Sequence, residues 1–106
     1  MSRFGLSPAV LDCLSEIFSH HPAIDAVKIY GSRAKGTAHP RSNIDLVLLG
    51  SSLDRHAVAA LQHDIDDSDI PFLVDVQAFS SLQNRALIDH IDRIGQEIYR
   101  RERAPA

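Results

Sequence analysis

Two aspartates interrupt runs of apolar, β-forming residues: Asp45 within Ile44-Asp45-Leu46-Val47-Leu48-Leu49, and Asp75 within Phe72-Leu73-Val74-Asp75-Val76. In a strand the side chains alternate, so Asn43 and Asp45 share one face while Ile44 and Leu46 share the other. By the same parity Asp75 goes with Leu73 and Gln77, opposite Phe72, Val74 and Val76. A carboxylate set in apolar surroundings is costly unless a cation, hydrogen bonds or water receives it. If the two strands are neighbours, Asp45 and Asp75 converge on a divalent cation. Upstream, Gly31-Ser32 falls where a strand gives way to a helical turn, whose amides can cradle a phosphate that glycine allows close to the backbone. Arg33, Lys35 and Arg41 supply nearby positive charge. Phosphate donors on one side and carboxylates on the other describe a nucleoside triphosphate site, in which Mg²⁺ links carboxylates to phosphate oxygens.

The surrounding elements must hold these groups. Ser7-Pro8 pairs an N-cap with proline at the first helical position, and Val10, Leu11, Leu14, Ile17 and Phe18 repeat at helical spacing up to His20-His21-Pro22. Residues 26–30 read as a strand, 32–35 as a short helical turn, 37–42 as a loop and 43–49 as a second strand. A helix follows from Asp54 to Ile65, with Ala57, Val58, Leu61 and Ile65 on one face, and residues 72–78 form a third strand after Pro71. Ser80-Ser81 can cap a last helix, where Leu87, Ile91, Ile94 and Ile98 form a stripe. Arg100, Arg101 and Arg103 would then meet the negative end of that helix, with Ala104-Pro105-Ala106 fraying beyond it. The expectation is α/β (α+β): one domain over 1–106, a small mixed sheet as core (26–79), and flanking helices at about 7–20 and 81–101.

With 106 residues there is room for one compact core and not for two ordinary domains. A net charge of −3 supplies no general attraction for nucleic acid, so direct DNA binding is not expected and any polyanion must be met locally. A single cysteine, Cys13, rules out an internal disulfide framework and lies at core spacing on the first helix. No apolar run approaches the ~18 residues of a membrane span, and Met1-Ser2-Arg3-Phe4-Gly5 lacks a signal-peptide core, so a cytoplasmic location is the default.

Taken together, Gly31-Ser32, ten residues, then Asn43-Ile44-Asp45 resemble the G-S-x10-D-x-D signature of the minimal nucleotidyltransferases, small relatives of the DNA polymerase beta nucleotidyltransferases. "YGSRAKGTAHPRSNIDLVLL" and "SDIPFLVDVQAF" are both similar to blocks of that family, in the family's order and at its spacing, with Asp75 at the third carboxylate. The resemblance spans residues 26–79. It implies two Mg²⁺ ions between carboxylates and a triphosphate, and transfer of a nucleotide monophosphate to a hydroxyl. By the same resemblance Asp45 and Asp75 ligate metal, and Asp75 also helps deprotonate the acceptor. Gly31, Ser32, Arg33, Lys35 and Ser42 would contact or neutralise the phosphates, with ATP as the substrate. The larger relatives carry an acceptor-binding domain for which this chain has no room. The acceptor is then small, or is another protein whose surface completes the cleft; the resemblance implies a HEPN-domain protein in a hetero-oligomer, with this chain as antitoxin and AMP transferred to a tyrosine of the toxin. Self-association into a homodimer stays open.

Asn43 departs from the pattern, standing where the family has the first aspartate of the pair. An amide offers one neutral oxygen, and hard Mg²⁺ prefers charged ones, so metal affinity and turnover should fall. Three readings stay open: a slow enzyme, a pseudoenzyme that neutralises its HEPN partner by binding alone, and an introduced Asp→Asn exchange. Other chemistry-like patterns are set aside. The acidic run "HDIDDSD" (63–69) lacks the glycine and terminal glutamate of a calcium loop, and His56 and His63 are two turns apart rather than one. Arg85 and His90 spell the R-x4-H of HEPN nucleases, but on a helix of a different kind of domain. His90 precedes Ile91 of the apolar stripe and so need not face a site.

Overall fold

The computed structural model describes residues 4–39 and 41–101. Its elements are α1 (Pro8–Ser19), β1 (Ala26–Tyr30), α2 (Ser32–Lys35), β2 (Ile44–Leu49), α3 (Arg55–Asp66), β3 (Val74–Ala78), a 3-10 turn (Phe79–Ser81), α4 (Arg85–Ile94) and β4 (Gln96–Arg100). The helix starts follow local chemistry. Ser7 Oγ accepts the Val10 amide at 3.4 Å ahead of Pro8, and Asp54 Oδ1 accepts the Ala57 amide at 2.8 Å. Each satisfies an amide that the first turn leaves without an intrahelical acceptor.

The four strands lie in the order β3-β2-β1-β4. β1 runs antiparallel to both β2 and β4, while β2 and β3 are parallel, joined through α3. One face of the sheet presents Val27, Ile29, Ile44, Leu46, Leu48, Val74 and Val76 to Leu14 and Phe18 of α1 and to Leu61 and Ile65 of α3, and this is the main core. Each such side chain contributes about 1.5–3 kcal/mol when fully buried. The other face carries Tyr30 and Val47, which pack with Ile91 of α4 and with half-buried Phe79, Leu82 and Leu87. The result is an α+β layer structure with a mixed sheet. Among the described residues no helix is long and apolar enough to cross a membrane.

The C-terminal third departs from the expected helix over 81–101. Ser80 and Ser81 lie in or beside the 3-10 turn, where Ser81 Oγ donates to the Ala78 carbonyl, and the cap of α4 is Asn84, whose Oδ1 accepts the Leu87 amide at 3.2 Å. The helix stops at Gly95, whose N–H still donates to the Ile91 carbonyl at 2.8 Å while its ψ of 139° turns the chain out of the helix; an added Cβ would stand 2.5 Å from that carbonyl, which reserves the position for glycine. The chain then turns into β4. Ile98 therefore belongs to a strand and not to the Leu87-Ile91-Ile94 stripe. β4 is anchored by pairing Val27 with Tyr99, and the Tyr99 ring meets Phe18 of α1 at 5.3 Å between centroids.

Arg100 and Arg101 accordingly do not sit at the end of the last helix. The Arg101 guanidinium donates to the carbonyls of His21 (2.8 Å), Ile24 (3.1 Å) and Ser19 (3.4 Å), tying the C-terminal strand to the end of α1. Arg103 and the Ala-Pro-Ala end lie outside the described residues, as do Met1–Arg3 and Pro40. The expected strand starts at 43 and 72 move inward to Ile44 and Val74. Cys13 is half-buried on α1 rather than fully interior.

Candidate active site

β2 and β3 are neighbours, and their parallel register sets Asp45 directly opposite Asp75. On the other side of β2, antiparallel register sets Asp45 opposite Tyr30. Tyr30, Asp45 and Asp75 thus form one row across three strands, on the sheet face that α4 only partly covers. Ile44 and Leu46, one residue to either side of Asp45, are fully buried on the opposite face, so burial of those two orients the carboxylate. Asn43 is exposed just before β2, and Leu73, before β3, is 76% exposed at the rim of the same face.

The electrostatics of the row are unfavourable in the absence of a cation. Burial raises the Asp45 pKa above the ordinary carboxylate value, and the charge of Asp75 raises it further. The Tyr30 phenol is also pushed up, first by burial and then by Asp45 and Asp75, with the Gln77 hydrogen bond acting in the other direction. Gln77 Nε2 donates to the Tyr30 hydroxyl at 3.4 Å. Among the described residues neither Asp45 nor Asp75 takes part in a salt bridge. A pair of like charges on an open face suits a hard divalent cation in kind of donor. It is short in number, since no group of three or more His, Cys, Asp or Glu side chains among the described residues is placed to hold a metal ion.

Gly31 joins the phosphate-loop candidate to this row. Its φ of 76° and ψ of −154° lie in a region open essentially to glycine alone. A Cβ on Gly31 would also stand 2.5 Å from Asp45 Oδ2. Lys35 N–H donates to the Gly31 carbonyl at 3.1 Å, which starts the turn and leaves the amides of Ser32, Arg33 and Ala34 in its first turn without intrahelical acceptors. Lys35 is exposed at the end of this turn.

Two residues expected at the phosphates make other hydrogen bonds in the fold. Arg33 is only 2% exposed, so it does not present a guanidinium to solvent. Its Nε and Nη2 donate to the Ser42 carbonyl at 3.1 and 2.7 Å, its Nη1 donates to the Phe4 carbonyl at 3.0 Å, and the group lies 4.8 Å over the Phe72 ring. It braces the 37–42 loop against the start of the chain. Ser42 Oγ accepts the His39 amide at 2.8 Å and so closes that loop on itself.

The reading that set His90 aside is also corrected. Gly31 N–H donates to His90 Nε2 at 3.1 Å, and the imidazole lies edge-on to Tyr30, 6.3 Å between centroids. The signal was present in the sequence: Leu87, His90, Ile91 and Ile94 are i, i+3, i+4 and i+7, so His90 completes the inward face of α4. The remaining patterns stay apart from the site. Asp64 pairs with His21 at 2.7 Å, and Asp66 accepts from Gln62 at 3.1 Å. Two surface hollows of about 450 Å³ lie nearby, one between α3 and β3 and one beside α2, and neither is lined by Asp45 or Asp75. Asp75 is exposed and Asp45 half-buried.

The Gly31-Ser32 junction is thus packed against Asp45, with Asp75 beside Asp45 in register on the neighbouring strand. The sequence matches the polymerase beta nucleotidyltransferase family over residues 13–104, and the chain belongs to that family. Solved structures share the fold. A toxin–antitoxin crystal structure with AMP-PNP is 23% identical with a TM-score of 0.65, covering 87% of this chain and 74% of that one. A chain of the toxin–antitoxin MntA-HepT is 15% identical with a TM-score of 0.66, covering 90% and 74%. A chain of the tri-AMPylated Shewanella oneidensis HEPN toxin in complex with MNT antitoxin is 18% identical with a TM-score of 0.60, covering 88% and 71%. No curated protein matches the sequence.

Proposed function

We propose that the chain is an antitoxin-type minimal nucleotidyltransferase that binds Mg-ATP and transfers AMP to a tyrosine hydroxyl of a HEPN-domain toxin. The observation that carries this reading is the register of Asp45 against Asp75 beside Gly31. Asp45 and Asp75 would hold Mg²⁺, which would supply the charge neutralisation that a triphosphate needs there. Ser32 and the first-turn amides of α2 face the β- and γ-phosphates, and Lys35 adds a flexible positive charge. Asp75, on the edge strand, takes the proton of the acceptor hydroxyl. The phenolic oxygen then bonds to the α-phosphorus as the bond to pyrophosphate breaks. The open face and exposed Leu73 suit an acceptor presented by another protein, in keeping with the toxin–antitoxin assemblies of the structural neighbours.

Asn43 and the shortage of a third charged ligand favour a second reading, in which the chain neutralises its partner by binding alone. One experiment separates the two. The protein and an Asn43→Asp variant are incubated with ATP, Mg²⁺ and a candidate HEPN-domain partner, and the partner is weighed by mass spectrometry. Added AMP mass supports the enzyme. A stable complex without added mass from either version rejects transfer and leaves the binding reading.

A further inference from the structure

The contact between Gly31 and His90 joins residues 59 positions apart and is a direct polar link between α4 and the Gly-Ser junction. For Nε2 to accept an amide proton the imidazole must be neutral with its own proton on Nδ1. The ring is held in place by its edge-on contact with Tyr30 and by its position between Leu87 and Ile91 on the inward face of α4. Its lone pair is spent on backbone, so it is not placed to take a proton from an acceptor. What it controls is the peptide plane entering Gly31, the residue that lies against Asp45.

We propose that His90 is a positioning residue of the nucleotide site: it fixes the entry to the Gly31-Ser32 turn, and through it the aim of the Ser32 hydroxyl and the following amides relative to Asp45. This rests on the reading of that site as one for Mg-ATP. Glycine in this backbone region has no side chain to define its peptide plane, and an acceptor on α4 substitutes for that restraint. The phosphate-facing donors are then those from Ser32 onward, because the Gly31 amide is already satisfied.

The test compares the chain as it stands with His90→Ala and His90→Gln. Glutamine places its side-chain oxygen the same number of bonds from Cα as Nε2 and can accept the same amide. Mg-ATP affinity is measured by calorimetry, melting is followed in parallel, and the Gly31 amide and imidazole nitrogens are observed by NMR. The expected results are an Nδ1–H tautomer in the wild type, a shifted Gly31 amide in His90→Ala, and Mg-ATP binding weakened about three- to tenfold, in line with loss of one hydrogen bond. His90→Gln should recover most of that affinity whatever its melting temperature, a rescue that simple packing would not produce. Wild-type binding left unchanged by His90→Ala, an Nε2–H tautomer, or failure of His90→Gln to bind better than His90→Ala would each overturn the inference alone. If the wild type binds no Mg-ATP, the nucleotide reading falls and the role of His90 with it, even where the NMR signature of the hydrogen bond is intact.

Discussion

Gly31 lies so close to Asp45 that a Cβ added to it would stand 2.5 Å from Asp45 Oδ2. The loop and the carboxylate are one packed unit. Gly31→Ala should therefore cost stability, about 1–3 kcal/mol for a side chain in this backbone region. It should also displace Asp45 and abolish Mg-dependent ATP binding. Gly36→Ala is the matched control: φ is 79° there too, but nothing lies within 4 Å of an added Cβ. It should cost about 1–2 kcal/mol and leave binding within twofold or so of wild type. Calorimetric melting and titration of both variants decide this, and equal binding losses would separate the glycine from the carboxylate.

Asp45 carries a pKa raised by burial and by Asp75, so in the metal-free protein the folded state binds its proton more tightly than the unfolded chain does. Stability then rises as pH falls through the raised folded value toward the ordinary carboxylate range, and the ionised form weakens the fold above it. Asp45→Asn should raise the metal-free melting temperature at neutral pH while removing Mg-dependent nucleotide binding. Melting curves with EDTA across mildly acidic to neutral pH are the check. A variant less stable than wild type under those conditions would contradict the assignment.

Asn43→Asp restores a charged oxygen beside Asp45 on the exposed end of β2. Mg²⁺ affinity should rise by about tenfold or more, the equivalent of ~1.4 kcal/mol. Without metal the added like charge should lower the melting temperature. Both are read by titrating Mg²⁺ in the presence of a non-hydrolysable ATP analogue. An unchanged affinity would mean that position 43 does not reach the ion.

Arg33 should behave as a structural residue. Lysine cannot reproduce two donors to the Ser42 carbonyl and a third to Phe4, so Arg33→Lys should destabilise by about 2–4 kcal/mol, read from urea unfolding. At temperatures where the variant is folded, its Mg-ATP affinity should drop far less than that of Gly31→Ala. A stable variant with lost affinity would return Arg33 to the phosphates.

The parts of the fold open to direct reading were those written in local chemistry. Ser7-Pro8 set the start of α1, alternation put Asp45 and Asp75 on faces opposite their apolar neighbours, and Gly31-Ser32 marked the turn between β1 and α2. β4 escaped because Ile98 falls at a helical interval from Ile94 and at a strand interval in its own segment. Only the turn out of the helix at Gly95 and the pairing of β4 with the edge of β1 decide between the two.

By itself, then, the sequence determined the family-like blocks, the parity of each strand and the chemical kind of site, because periodicity and caps act over a few residues. Tertiary structure alone decided that Asp45 meets Asp75 rather than passing it by one residue. It also decided that Arg33 turns inward and that His90 reaches Gly31 from 59 residues away. Those outcomes depend on which strand edges pair and which faces are buried together, energies that exist only when distant segments are in contact.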